Sequence, residues 1–245
     1  SLWAGVEKLV AALENSPIDI VRLVDATLSD TMAEAVLAWT LYLHRDMPRY
    51  AKQQQQQLWL QHPHKPASEL RIGVLGLGEL GQVSAQRLAA NGFKVMGWSR
   101  TAKTLANVIT YSGTSGLTKM VKQSDILVCL LPLTTATRGL VNQTLLAHLP
   151  KGSCFINFAR GAIIDHNALV QSLDTQQLSH AVLDVFAHEP LNEDSELWRH
   201  PDITVLPHIS APTNINSASE LVARNIQHFR ATGQLPKTVS KAQGY

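Results

Sequence analysis

The chain has 245 residues, 45% of them hydrophobic and 16% charged, which is typical of a globular protein with a sizeable core. Its 21 basic and 19 acidic side chains give a net charge of +2, and this near-balance offers no electrostatic reason to expect nucleic acid or an anionic membrane as a partner. No apolar run approaches the roughly 20 residues that span a bilayer, and the sequence shows no signal-peptide pattern. Cys129 and Cys154 lie in apolar runs, which favours reduced core residues and fits a cytoplasmic protein.

The part of the chain before Pro66 predicts mainly helix. Apolar periodicity predicts a short helix, a strand and a long, mostly buried helix at 2–13, 19–24 and 32–45. The run Gln53–Gln57 indicates a solvated helix face, which we favour over an interaction tract because the run is short. His62 and His64 stand in a stretch broken by prolines, with no further ligands nearby in sequence, and therefore predict an exposed loop without a metal.

After Pro66 the pattern alternates between strand and helix. The predicted strands are short and apolar, at 71–75, 94–98, 125–131, 153–158, 180–185 and 203–206. The predicted helices fall between or after them, at 79–90, 117–123, 143–148, 167–173 and 214–232. Continuous apolar strands separated by helices indicate an α/β fold, with a doubly wound parallel sheet covered on both faces.

A glycine-rich turn, Gly76-Leu77-Gly78-Glu79-Leu80-Gly81, joins the first of these strands to a helix. The Gly-x-Gly-x-x-Gly pattern alone is weak evidence, but here it has the strand before it and the helix after it that a dinucleotide site requires. The three glycines would serve a tight turn, the approach of a pyrophosphate and the packing of helix on strand. The free N–H groups at the helix start attract phosphate, so the turn predicts dinucleotide binding.

The end of the second strand indicates which dinucleotide is bound. NAD-binding proteins usually carry Asp or Glu there, about 20 residues after the first glycine. Residues 94–103 contain no carboxylate and supply instead Ser99, Arg100 and Lys103. A hydroxyl and two cations suit the 2′-phosphate of NADP, so the sequence favours NADP (NADPH) and leaves NAD as the second possibility.

Three further polar residues stand at or just beyond strand ends: Arg160, Glu189 and His208. Because ligands bind at the carboxyl ends of strands in open α/β sheets, their shared placement predicts a common catalytic site. The residue types suit the reduction of a 2-oxo acid. A histidinium can protonate the carbonyl oxygen, a carboxylate can stabilise that histidinium, and an arginine can hold the substrate carboxylate.

Several motifs in one order carry a resemblance to a known family. They are the glycine turn, Leu130-Leu131-Pro132 with Thr134, Thr137 and Gly139, Asn157-Phe158-Ala159-Arg160-Gly161, the segment 183–191, and Pro207-His208-Ile209-Ser210. Over essentially its whole length the chain resembles the D-2-hydroxyacid dehydrogenase family. The segments 2–6, 97–101 and 197–201 resemble in particular its glyoxylate/hydroxypyruvate reductase A branch.

The resemblance implies a role for each matching residue. Arg160 binds the substrate carboxylate and carbonyl, His208 is the acid/base, and Glu189 is its partner. Ala4, Gly5 and Val6 fall on a loop that holds the substrate carboxylate through backbone N–H groups. Asp184 meets the nicotinamide carboxamide, and the remaining cofactor-lining residues are Leu131, Pro132, Thr137, Ala159 and Ala211.

The resemblance also implies a domain division and a departure from the family pattern. Residues 1–27 correspond to the end of a flavodoxin-like substrate domain, 28–212 to the Rossmann domain, and 213–245 to a helix and tail that return to the substrate domain. Family members carry a longer segment before the Ala4-Gly5-Val6 loop. We therefore expect a protein of only these residues to bind cofactor and to turn over slowly.

The leading hypothesis is NADPH-dependent reduction of glyoxylate and hydroxypyruvate. One alternative is a non-catalytic, dinucleotide-sensing corepressor built on the same fold, and another is an NAD-linked dehydrogenase of a different 2-hydroxyacid. The family resemblance also implies a homodimer to which the long helix near residues 32–45 contributes.

Overall fold

A single parallel β-sheet organises the chain. The computed structural model describes residues 6–241, with residues 7 and 8 described by backbone alone. Within this range seven strands form one sheet in the order β3-β2-β1-β4-β5-β6-β7, and every neighbouring pair is parallel. The strands are β1 (Arg71–Leu75), β2 (Lys94–Ser99), β3 (Val108–Ser112), β4 (Ile126–Cys129), β5 (Ser153–Asn157), β6 (Leu178–Leu183) and β7 (Ile203–Val205).

Helices cover both faces of this sheet, which confirms the expected α/β class with a doubly wound parallel sheet. The described helices are α1 (Glu7–Ala12), α2 (Ala26–His44), α3 (Met47–Gln55), α4 (Glu79–Ala90), α5 (Gly113–Val121), α6 (Gln143–Ala147), α7 (His166–Asp174) and α8 (Ile215–Thr232). Two large apolar clusters lie on the two faces of the sheet. One contains Leu127 and Phe155, and the other contains Val36 and Val74. Alternate residues of a strand point to opposite faces, so strands buried on both sides must be apolar throughout.

The strand order reverses beside β1, and this fixes where a ligand can bind. The chain runs from β1 outward through β2 to β3, then returns to place β4 on the other side of β1. The loops after β1 and β4 therefore leave in opposite directions and open a crevice at the carboxyl ends of these strands. The glycine turn follows β1 directly and lies at this crevice.

The structure corrects several predicted elements. The segment 19–24 is not a strand and makes only an isolated bridge between Val21 and Thr238. β3 was not predicted, and only the end of α3 was, as the helix face at the glutamine run. The glutamine run is only partly a solvated helix face, since the helix ends at Gln55 and Gln53 is buried with its amide bonded to the Leu60 carbonyl.

The two ends of the described range come together away from the sheet. Val6, Ile20 and Val239 form a small apolar cluster of their own, and the Val239 N–H donates to the Ile20 carbonyl. Asp25 caps α2 through the Thr27 N–H and also accepts from the Ser217 hydroxyl at the start of α8. Across residues 6–241 no helix combines the length and apolarity needed to cross a membrane.

Candidate active site

The glycine turn is built by close packing of backbone. Gly76 has φ +98°, a conformation that side chains disfavour, and a Cβ there would lie 2.8 Å from the Leu130 carbonyl oxygen. A Cβ on Gly81 would lie 1.7 Å from the Gly76 carbonyl oxygen. These two glycines therefore serve the fold, since they let α4 begin directly against the end of β1 and against the loop after β4.

Gly78 differs from its neighbours in the turn because a Cβ built on it would meet nothing within 4 Å. The space in front of Gly78 is open, and the residue is the N-cap of the twelve-residue helix α4 without a side-chain cap. The first N–H groups of α4 thus face an open cradle at the positive end of a helix. This arrangement fits the pyrophosphate of a dinucleotide, with Gly78 and its neighbours as the residues that would hold it.

The basic segment after β2 lies against the same turn. The Lys103 ammonium donates to the Leu77 carbonyl oxygen at 2.5 Å, which brings this cation to the glycine turn. Ser99 is buried, and its hydroxyl donates to the Thr101 carbonyl, while Arg100 is exposed beside it. The structure therefore gathers the predicted cofactor residues of β1 and β2 in one place, as a phosphate-binding corner would require.

The segment after β4 lies opposite the glycine turn and packs against Gly76. Leu131 is buried beneath the exposed Pro132, directly across from Gly76. The Thr137 hydroxyl donates to the Pro132 carbonyl at 2.6 Å and fixes the loop as a compact turn. Ala159 is buried at the end of β5, and Ala211 is partly buried near the other end of the crevice.

Arg160 stands in a tight turn after β5. The side chain of Asn157 bonds this turn twice: its Oδ1 accepts from the Ala159 N–H, and its Nδ2 donates to the Arg160 carbonyl. Arg160 itself is half-buried with an extended backbone, and one guanidinium nitrogen donates to the Ala159 carbonyl. The turn continues into Gly161, which is buried.

Glu189 and His208 form a direct pair. His208 Nδ1 lies 2.7 Å from Glu189 Oε2, and because a carboxylate only accepts, Nδ1 is the donor. The other carboxylate oxygen, Oε1, accepts from the Phe186 N–H at 2.9 Å. His208 has φ +57°, so its ring leaves a left-handed turn after β7. The side chain of His208 is 51% exposed, which leaves the ring accessible from the crevice.

Asp184 holds the turn that carries His208 through hydrogen bonds to its backbone. It is buried at the end of β6, and its two carboxylate oxygens accept from the N–H groups of Ile209 and Ser210 at 2.7 and 2.8 Å. A carboxylate buried with two charge-assisted hydrogen bonds holds the backbone that follows His208. This contact adds to the expected role of Asp184 at a nicotinamide carboxamide, which stays a prediction.

The other predicted site residues differ in their surroundings. Ala4 and Gly5 lie outside the described residues. Val6 is buried in the small apolar cluster with Ile20 and Val239. Glu79 is exposed and lies 3.5 Å from the Lys237 ammonium, whereas Leu80 is partly buried on the α4 side.

Sequence reasoning missed two supports of the site: the Asn157 side chain and the Phe186 N–H. A polar residue closing an apolar strand just before Arg160 was the available signal for Asn157. A parallel sheet with a glycine cradle at its switch point, and a histidine paired with a carboxylate at the same edge, are typical of a dinucleotide-dependent oxidoreductase.

Comparison with known proteins agrees with that class. The family model described as "D-isomer specific 2-hydroxyacid dehydrogenase, NAD binding domain" matches residues 37–210. The chain therefore belongs to the D-isomer specific 2-hydroxyacid dehydrogenase family, and the resemblance read from its motifs is confirmed.

Individual relatives are similar over nearly the whole chain. Glyoxylate/hydroxypyruvate reductase A of Salmonella choleraesuis is 35% identical over 250 residues, which cover 100% of this chain and 80% of the relative. A D-isomer specific 2-hydroxyacid dehydrogenase from Xanthobacter autotrophicus, solved with NADPH and MES, is 40% identical with a TM-score of 0.95, covering 99% of this chain and 100% of that one. The NADPH-dependent glyoxylate/hydroxypyruvate reductase from Sinorhizobium meliloti, solved with NADP and sulfate, is 35% identical with a TM-score of 0.94, covering 99% of this chain and 78% of that one.

Proposed function

We propose that this protein is an NADPH-dependent reductase of small 2-oxo acids, with glyoxylate and hydroxypyruvate as its substrates. The observation that carries the proposal is the His208–Glu189 pair at 2.7 Å, at the same sheet edge as the Arg160 turn and the open cradle at Gly78. The similar proteins named as glyoxylate/hydroxypyruvate reductases support the choice of substrates.

The residues divide the chemistry among them. A bound nicotinamide dinucleotide supplies the hydride. Arg160 holds the substrate carboxylate and polarises the carbonyl through its planar guanidinium. His208 gives a proton from Nε2 to the carbonyl oxygen, while Glu189 holds Nδ1 and stabilises the imidazolium. Glu189 is in turn oriented by the Phe186 N–H.

NADP is the proposed cofactor because the end of β2 carries cations instead of a carboxylate. Ser99, Arg100 and Lys103 would bind the 2′-phosphate, and Lys103 already contacts the glycine turn. Similar proteins were solved with NADPH or NADP bound. The Michaelis constants for NADPH and NADH test this point, and equal values would contradict the role of Ser99 and Arg100.

The direct test of the activity mixes the purified chain with NADPH and either glyoxylate or hydroxypyruvate and follows the nicotinamide absorbance. We expect NADPH oxidation that depends on the 2-oxo acid. Tight NADPH binding without oxidation by any small 2-oxo acid would overturn the proposal and favour a dinucleotide-sensing protein.

The acid–base role of His208 has its own test. We expect His208→Ala to lower kcat by about 10²- to 10⁴-fold, the usual contribution of a positioned general acid. NADPH affinity, measured by fluorescence titration, should stay within about twofold because His208 is outside the glycine turn. His228→Ala, at an exposed position on α8, is the matched control and should keep full activity.

The proposed domain division keeps residues 28–212 as the Rossmann domain and assigns 1–27 and 213–245 to the substrate side. It is supported by the separate apolar cluster of Val6, Ile20 and Val239. Helix α8 also exposes an apolar face to solvent, formed by Ile215, Val222, Ile226 and Phe229.

A homodimer is the proposed assembly, formed around the end of α2, α3 and the segment after it. Trp59 is 95% exposed between the exposed Leu58 and Leu60, and Met47 at the start of α3 is exposed as well. A contiguous exposed apolar segment of this kind marks an interface. Light scattering should give the dimer mass, and Trp59→Ser should shift the chain toward monomer.

We further propose a cytoplasmic location, since Cys129 and Cys154 are both free thiols.

A further inference from the structure

Arg160 reaches the site from a different loop than Glu189 and His208, so its turn must be held in place for the three to act on one small substrate. The residue that closes β5 just before this turn is Asn157, which has no solvent exposure. A buried amide must find its hydrogen-bond partners inside the protein, because an unpaired one costs free energy. The hydrogen-bond partners of Asn157 therefore identify the part of the backbone that it holds in place.

Both the oxygen and the nitrogen of the Asn157 side-chain amide form hydrogen bonds within the turn. Its Oδ1 accepts from the Ala159 N–H at 3.1 Å, and its Nδ2 donates to the Arg160 carbonyl at 3.2 Å. The Asn157 carbonyl accepts from the Asp184 N–H at 3.1 Å, which ties the same residue to the end of β6. The backbone before and after the Arg160 Cα is thus fixed by one side chain.

The turn is also in contact with the loop after β6, which carries Glu189. A Cβ on Gly161 would lie 1.9 Å from the Phe186 carbonyl carbon and 2.3 Å from the Ala187 nitrogen. Phe186 is the residue whose N–H holds Glu189 Oε1, and Glu189 Oε2 holds His208. The absence of a side chain at Gly161 lets the two loops meet backbone to backbone.

We propose that Asn157 is a positioning residue for Arg160, setting the turn from which the guanidinium reaches the substrate carboxylate. The inference rests on the proposed function, since it assumes that Arg160 binds the substrate. A purely structural role for Asn157 predicts a different pattern: lower thermal stability with unchanged kinetic constants in the molecules that remain folded.

The first experiment compares Asn157→Ala with the wild-type full chain. We expect KM for hydroxypyruvate to rise by about tenfold and kcat to fall severalfold, because a displaced arginine binds and polarises the substrate less well. NADPH affinity should stay within about twofold. The shape of the pH–rate profile should not change, since Glu189 and His208 keep their own hydrogen bond.

The matched control is Ser153→Ala. Ser153 is also buried on β5, and its hydroxyl donates to the backbone carbonyls of Ser124 and Pro150 at the opposite end of the strand. Its loss should lower the melting temperature without raising KM. Asn157→Asp serves if the alanine variant does not fold, because it keeps an acceptor for the Ala159 N–H and replaces the donor to the Arg160 carbonyl with a carboxylate oxygen. KM should rise in that variant also.

The second experiment is the double variant Asn157→Ala with Arg160→Ala. If Asn157 acts through Arg160, the alanine at 157 should change KM by less than about twofold once the arginine is gone. Independent, multiplying effects on KM would overturn the inference. A normal KM in Asn157→Ala together with a raised KM in Arg160→Ala would also overturn the inference. That result would leave the proposed function intact. A normal KM in Arg160→Ala alone would instead overturn the substrate role of Arg160 and the inference with it.

Discussion

Glu189 uses both of its carboxylate oxygens inside the site. One accepts from the Phe186 N–H and the other from His208 Nδ1, so the carboxylate is held at two points. Because Nδ1 is bonded to Glu189, Nε2 is the imidazole nitrogen that the proposed function assigns to proton transfer. The left-handed backbone of His208, fixed by Asp184 through the next two N–H groups, aims the ring.

The pair predicts how activity depends on pH. Glu189→Gln keeps an oxygen for the Phe186 N–H but loses the charge that stabilises the imidazolium. Reduction needs a protonated ring, and the loss of this charge should therefore change the pH–rate profile of the variant. The measurement is the pH–rate profile for hydroxypyruvate reduction. Glu193→Gln, exposed in the same loop, should keep the wild-type profile, and an unshifted profile in Glu189→Gln would argue against the pair.

Residue chemistry at strand ends predicts Arg160, Glu189 and His208 as site residues, because a parallel sheet brings all its carboxyl ends to one edge. The structure shows the contact between Glu189 and His208, and the catalytic roles stay predictions. The supports around them could not be predicted. The Phe186 N–H and the close approach of Gly161 depend on how two loops meet in space. Nothing in the local sequence of either loop indicates that the two loops lie in contact.

At the scale of elements, the bounds of β1 and α4 match the predicted ones, because the apolar run and the glycines mark them sharply. β3 was missed because it is an edge strand whose residues are only partly buried and include Thr110, Tyr111 and Ser112. Only the end of α3 was predicted, because its sequence is polar. Its buried Gln53 is stabilised by hydrogen bonds that no periodicity reveals.

The glycine turn predicts two opposite outcomes for the same substitution. Gly78→Ala should fold normally, since its Cβ meets nothing within 4 Å, but should weaken NADPH binding by roughly tenfold or more because the methyl projects into the cradle. Gly81→Ala should destabilise the fold by about 3 kcal/mol or more, since its Cβ would overlap the Gly76 carbonyl oxygen. NADPH titration and chemical denaturation measure the two effects. Equal loss of stability in both variants would contradict the assignment.

For the molecule as a whole, the structure confirms the predicted sheet. The contact between segments 18–24 and 236–240 was not predicted. The two large clusters follow from apolar strands and amphipathic helices, which sequence periodicity reports directly. The contact between segments 18–24 and 236–240 joins residues more than 200 positions apart through backbone bonds such as Arg22 N–H to the Lys237 carbonyl. The alternation at 19–24 predicted a strand there, but nothing in the sequence indicated its partner near residue 237.

One buried histidine makes global stability depend on pH. His180 lies on β6 with Nε2 2.9 Å from the Thr204 hydroxyl, and burial lowers its pKa from 6.5 to about 4 despite the opposing charge of Asp202. The unfolded chain therefore takes up this proton first. The free energy of unfolding should fall as the pH drops from about 6.5 to about 4, by at most about 3 kcal/mol from this residue.

Denaturation curves across that pH range test the effect. His180→Asn should flatten the dependence of stability on pH in this window, even if it lowers stability at neutral pH. His228→Gln, at an exposed position, should leave the slope as it is in the wild type. An unchanged slope in His180→Asn would show that other groups produce the pH dependence.

The backbone contact at Gly161 also limits how the enzyme could be redesigned. The turn that carries Arg160 and the loop that carries Glu189 already touch, and any side chain at 161 would overlap Phe186 and Ala187. Under the proposed function, separating these two loops to admit a bulkier 2-oxo acid would disturb both Arg160 and the carboxylate that holds His208. Engineering or natural divergence toward larger substrates has to act on the residues that line the rest of the crevice, with this junction kept as a fixed frame.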